Sequence, residues 1–140
     1  ITSQDTFLLN GTIKENIIFG NDIDVSSEKL NESIKFARLE KMIERLPNGI
    51  DTDIGLTFKK LSSGQKQRIA IARAHYLDKE IIIFDEATNA LDEENERKIM
   101  ENLSKLKFKK TIIIISHNKK NLEIFDKIFE LDNKNLKQLK

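Results

Sequence analysis

The stretch Ile81-Ile82-Ile83-Phe84-Asp85-Glu86 decides how this chain is read. A short apolar run of this kind, bounded by polar residues, matches a strand of a parallel sheet covered on both faces. It ends in two acids, and in open α/β sheets ligands gather in the crevice beyond the strands' C-terminal ends. There Asp85 can take a metal ion and Glu86 can accept a proton from water. Upstream stands Leu61-Ser62-Ser63-Gly64-Gln65, a Ser/Gly turn opening a helix. Such a turn offers unsatisfied backbone N–H groups and the positive end of the helix dipole to a phosphate. Together the two stretches read as half of a nucleotide-hydrolysing site.

The other half is not in the sequence. The glycines are Gly11, Gly20, Gly49, Gly55 and Gly64, and none is followed by Lys. No G-x-x-x-x-G-K-[ST] loop is therefore present to cradle β- and γ-phosphates. The chain opens at Ile1, in what reads as the end of a strand. The expectation is a C-terminal piece of a longer polypeptide, whose sheet lacks its central P-loop strand and so exposes an edge.

Composition sets outer bounds. At 140 residues the chain is one domain's worth, enough to bury a core. A content of 39% hydrophobic and 34% charged residues is ordinary for an α/β domain. Lys+Arg 24 against Asp+Glu 23 leaves +1, which gives no electrostatic case for a nucleic-acid partner. The absence of cysteine excludes disulfides and thiolate metal sites. The longest apolar runs are far too short to span a bilayer.

Along the chain, residues 1–20 read as a strand end and loop that turn helical from about Thr12. In 21–57, Ser26 or Ser27 caps a helix with Leu30, Ile34 and Ala37 on one face. Leu39, Met42, Ile43 and Leu46 continue at helical spacing until Pro47-Asn48-Gly49. From 58 onward the pattern becomes α/β. A helix is expected at Ser63–Leu77, a buried strand at Glu80–Phe84, and a helix capped by Asp92 running to about Leu106. A second buried strand follows at Thr111–Ser116, then a short helix at Lys120–Phe125 and a terminal hairpin. Strands alternating with helices imply a mostly parallel sheet with helices on both faces.

His117 follows the second apolar strand as the acids follow the first, so an imidazole can face the same crevice. Ser62 can cap the helix and donate to a phosphate oxygen, while Gly64 lacks the Cβ that would block close approach. Gln4, in a polar loop after a strand, can reach a metal and an attacking water. His75, mid-helix, is read as structural or exposed.

In order and spacing, Gln4, Leu61–Gln65, Ile81–Glu86, Asn89–Asp92 and His117 resemble the Q-loop, signature motif, Walker B strand, D-loop and H-loop of ABC transporter ATPase domains. Residues 61–74, Leu61-Ser62-Ser63-Gly64-Gln65-Lys66-Gln67-Arg68-Ile69-Ala70-Ile71-Ala72-Arg73-Ala74, are similar to LSGGQ-x-QRxAIARA. Residues 84–92, Phe84-Asp85-Glu86-Ala87-Thr88-Asn89-Ala90-Leu91-Asp92, are similar to DEATSALD. The stretch from Gln4 to Ile17, with Thr12-Ile13-Lys14-Glu15-Asn16-Ile17, resembles the exporter branch. Ser63 replaces a usual Gly and Asn89 a usual Ser. Leu56 and Phe58 stand where exporters carry an acid and a glycine, in a segment that normally meets the membrane domain.

The resemblance implies a P-loop NTPase-like α/β fold, truncated before residue 1. It divides into a Q-loop region (1–20), a helical subdomain (21–57) and a core with signature helix, Walker B, D-loop and H-loop (58–140). It implies ATP and Mg²⁺ as ligands. Ser62, Ser63, Gly64 and Gln65 would contact ATP held by a second ATPase domain, with Asp92 at the dimer seam. Glu86 would act as general base, with His117 and Gln4 beside it, and Asp85 and Gln4 would serve Mg²⁺. The implied setting is the cytoplasmic face of a membrane, with a membrane-spanning domain fused upstream and no nucleic acid. Two other readings are a soluble ABC ATPase of DNA repair or translation, against which the Thr12–Ile17 element argues, and a fragment unable to bind ATP.

Overall fold

Thr12 starts the first helix because two bonds close on it at once. Its hydroxyl accepts from the Glu15 N–H, and the Glu15 carboxylate accepts from the Thr12 N–H, forming a capping box. The computed structural model describes residues 7–20, 25–55, 61–107, 109–117, 122–132 and 134–140. Helix α1 (Ile13–Ile18) ends at Phe19 in the left-handed region and buries Ile13 and Ile17 completely. Residues 52–54 run antiparallel beside its start, with Ile54 N–H donating to Gly11 C=O at 2.8 Å and Ile13 N–H to Thr52 C=O at 3.2 Å.

Helix α2 (Ser27–Phe36) is capped by Ser26, and α3 (Glu40–Glu44) is followed by a 3₁₀ turn at Gly49–Asp51. The expected stripe of Leu30, Ile34 and Ala37 faces the core. Helix α4 (Ser63–Leu77) packs against both α1 and α2 and buries Ile69, Ile71 and Ala72 completely. Strand β1 (Ile81–Asp85) leads through a turn to α5 (Glu93–Ser104), whose Ile99, Met100 and Leu103 join Ile82 and Phe84 in the core.

Strand β2 (Thr111–Ile115) pairs parallel with β1, in the register Ile82↔Ile112, Phe84↔Ile114 and Asp85↔Ile115. The class and the parallel pairing are as the sequence implies, with β1 shifted one residue onto Asp85. Burial differs. Both strands read as buried on two faces, yet only one face is covered here. Ile82 and Phe84 point into the core, while Ile81, Ile113 and Ile115 are 60%, 45% and 50% exposed. The period-two alternation of a strand divides these isoleucines between a packed and an open face.

A 3₁₀ turn at Leu122–Ile124 lies within the segment expected as a short helix, of which residues 120 and 121 lie outside the described residues. Strands β3 (Phe129–Asp132) and β4 (Asn135–Gln138) form the expected antiparallel hairpin.

One polar clamp ties the first segment to α4. Buried Asn16 accepts from the Leu9 N–H at 2.8 Å and donates to the Leu9 C=O at 3.1 Å. Arg73 of α4 donates to the Asn16 backbone C=O at 2.8 Å, to Asn16 Oδ1 at 3.0 Å and to the Phe7 C=O at 2.9 Å. Its guanidinium also lies 4.5 Å from the centre of the Phe19 ring.

Candidate functional site

Helix α4 begins at Ser62, whose extended backbone (φ −66°, ψ 158°) aims its hydroxyl at the first turn. The hydroxyl accepts from Gln65 N–H at 3.2 Å, and Gln65 Oε1 accepts from Ser62 N–H at 2.8 Å. This second capping box engages the N–H groups of Ser62 and Gln65 and leaves those of Ser63 and Gly64 outside it. The Ser62 O–H remains a donor, because in the box it only accepts.

Gly64 has a packing duty that the sequence did not disclose. A Cβ placed there would lie 2.6 Å from the Ala90 carbonyl oxygen, so the helix and the turn after β1 approach as closely as glycine permits. Gln67, one turn further along the same face, is buried at 4% exposure. It donates to the Glu86 C=O at 3.4 Å and accepts from the Ala90 N–H at 3.1 Å. Sequence reasoning passed over Gln67. The available signal was a polar residue between Gly64 and Ile71, on a face that is otherwise small or apolar.

At the end of β1 the chain bends sharply. Glu86 N–H donates to Ile115 C=O at 2.9 Å, extending the ladder by one step, and Glu86 then takes a left-handed backbone (φ 51°). For a non-glycine residue this conformation is uncommon and must be held by its surroundings. The bend turns the Glu86 carboxylate toward the end of β2. His117 Nε2 lies 2.7 Å from Glu86 Oε1, and Asn89 Nδ2 donates to Oε2 at 3.1 Å. The carboxylate is mostly enclosed, with its side chain 18% exposed, whereas the imidazole is 87% exposed. The two strand ends named by the sequence therefore meet in direct contact. Asp85 sits half-buried at the same end.

Asp92 caps α5, accepting from the Asn95 N–H at 3.0 Å and from the Asn95 side-chain amide at 2.7 Å. These bonds, backbone first, hold its carboxyl below the usual carboxylate range. Arg38, at the end of the α2 segment, donates to Asn95 Oδ1 at 3.1 Å, and its carbonyl accepts from Arg68 of α4 at 2.7 Å. Arg38 was also missed, because a single arginine after a helix carries no local signal of where it docks. His75 is structural: it lies 2.9 Å from the Ser33 hydroxyl and stacks on Phe36 at 4.2 Å. Gln4, Leu56 and Phe58 lie outside the described residues.

Among the described residues no cluster of three or more His, Asp and Glu could hold a metal on its own. Mg²⁺ does not need such a cluster beside a nucleotide, since one or two carboxylates complete a shell of phosphate oxygens and waters. Asp85 fits that requirement. The Ser62–Gln65 turn fits an anion, because the N–H groups of Ser63 and Gly64 lie outside its box. No helix among the described residues is long and apolar enough to cross a membrane.

A family model described as ABC transporter matches residues 1–89. The chain is 46% identical over 129 residues to an ABC transporter ATP-binding protein of Sinorhizobium fredii, covering 92% of this chain and 22% of that protein. It is 42% identical over 133 residues to an ATP-dependent lipid A-core flippase of Idiomarina loihiensis, covering 95% of this chain and 23% of that one. It is 42% identical over 132 residues to P-glycoprotein 14 of Caenorhabditis elegans, covering 94% and 10%. Among solved structures, a bacterial Atm1-family ABC exporter with ATP bound superposes with a TM-score of 0.86 at 38% identity, over 96% of this chain and 24% of that chain. The chain thus spans between 10% and 24% of the length of these relatives.

Proposed function

The chain belongs to the ABC transporter family, and from that premise we propose that it supplies the hydrolytic end of an ATPase domain driving export or flipping of a solute or lipid. The observation that carries the reading is the contact of Glu86 with His117, at 2.7 Å, where two parallel strands end. Phosphoryl transfer of this kind rests on positioning and on neutralising charge rather than on covalent chemistry by the protein.

Each group then has a task suited to its surroundings. Glu86 takes the proton of the attacking water on a carboxylate oxygen. Each oxygen has one partner here, His117 on Oε1 and Asn89 on Oε2, and each keeps a lone pair for the water. His117, largely exposed, is free to swing from Glu86 toward a γ-phosphate oxygen. Asp85 and Gln4 would hold Mg²⁺, which when bound would neutralise charge on the phosphate oxygens. Ser62, Ser63, Gly64 and Gln65 present their donors to ATP carried by a second ATPase domain, and Asp92 lies at the seam between the two. The membrane-spanning part and the cytoplasmic side of the membrane belong to the same proposal. Support comes from the relatives named as a flippase, a P-glycoprotein and an exporter.

The test is Glu86→Gln in the intact transporter. Turnover should fall by at least about 100-fold, the usual worth of a general base, with ATP binding retained. Unchanged turnover removes Glu86 from the base role.

A further inference from the structure

We infer that Asn89 is a positioning residue for Glu86, an inference that rests on the hydrolytic reading above. The Glu86 carboxylate has two oxygens and two neighbours: His117 on Oε1 at 2.7 Å and the Asn89 amide on Oε2 at 3.1 Å. His117 is 87% exposed and follows a strand end, so it is the more easily moved of the two. Asn89 sits three residues after Glu86 in the same turn. Its backbone N–H donates to the Glu86 C=O at 3.2 Å, while Leu91 N–H donates to Thr88 C=O at 3.0 Å.

The turn itself is fixed from below. Gln67 grips the Glu86 C=O and the Ala90 N–H, and Gly64 lets the Ala90 carbonyl approach α4 closely. The Asn89 side chain therefore projects from a turn that is hydrogen-bonded to α4 at two points. When His117 leaves for a phosphate, Asn89 keeps Oε2 and holds the carboxylate plane, so that Oε1 is the oxygen offered to water.

Asn89 is exposed, and its backbone rather than its side chain closes the turn. Substitutions should therefore fold. The experiment measures ATP hydrolysis by the intact transporter carrying Asn89→Ala, Asn89→Ser or Asn89→Asp, with Glu86→Gln alongside. Asn89→Ala should lower kcat about three- to tenfold, the worth of one ordinary, solvent-exposed hydrogen bond, with KM for ATP shifted less than about twofold. Asn89→Ser should recover part of that loss because a donor remains. Asn89→Asp keeps the shape but turns an acceptor toward Glu86, and should fall furthest. Wild-type kcat in the Asp variant, or an effect confined to KM, overturns the inference while Glu86→Gln remains inactive. Full turnover in Glu86→Gln overturns the hydrolytic reading and this inference with it.

Discussion

The helical layer and the sheet were built from similar amounts of isoleucine, and they use it differently. In α1 and α4, Ile13, Ile17, Ile69 and Ile71 are wholly buried, and the polar groups among them are matched by Asn16 and Arg73. In β1 and β2, alternate isoleucines are open to solvent, and every residue of β4 is exposed. A helix carries its own backbone hydrogen bonds and closes its core with one apolar stripe. A strand passes that requirement to its neighbours on each edge and each face. The packed helices and the half-open sheet share one core, and the site lies where the two meet.

The sharpest way to break this contrast is a pair of equivalent truncations. Ile17→Ala should cost about 2–5 kcal/mol, as for other fully buried isoleucines. Ile115→Ala should cost under ~1 kcal/mol, since half of its surface is already in water. Chemical denaturation of the protein compares them. Equal costs would mean that the open face is covered by another part of the protein. A smaller effect is expected at the polar clamp. Arg73→Lys keeps the charge but cannot serve Phe7 C=O, Asn16 C=O and Asn16 Oδ1 from one planar group, and should cost about 1–3 kcal/mol. A cost near zero would show that the first segment is held without it.

The smallest effect is a pH dependence in the helical layer. Burial pushes the His75 imidazole below its ordinary value of 6.5, opposed by the nearby charges of Asp78 and Glu32 and assisted by Lys29 and Lys110. A depressed folded value means that the unfolded chain takes up the proton first. This group therefore costs nothing well above pH 6.5, and stability declines as pH falls from there toward the folded value. Thermal melts across that window should show a decline that His75→Phe removes, keeping the stack on Phe36. A melt that improves on acidification would reverse the sign and refute the burial argument.

What was legible from sequence was local. Ser62 and Asp92 cap their helices, α4 runs over the expected Ser63–Leu77, and the two strands pair in parallel. Capping and periodicity are written within a few residues, so one chain suffices to read them. Which faces are covered was not legible, because identical isoleucines in β2 give no hint of what lies across from them. Gln67, Arg38 and Arg73 escaped for the same reason. Their meaning comes from partners 19 to 66 residues away, set by how helices and turns pack rather than by neighbouring sequence.

The parallel register has one more consequence. Asp85 faces Ile115, so the residues just beyond each strand, Glu86 and Ser116-His117, emerge side by side from the same rung. Their separation is therefore counted out by the backbone, like marks on a ruler graduated every ~3.3 Å, and not negotiated by side-chain fit. Evolution can rewrite the isoleucines of either strand without moving the mark. What it cannot do freely is add or remove a residue within β2 itself, ahead of His117, which would slide the scale by one division and carry His117 to the opposite face.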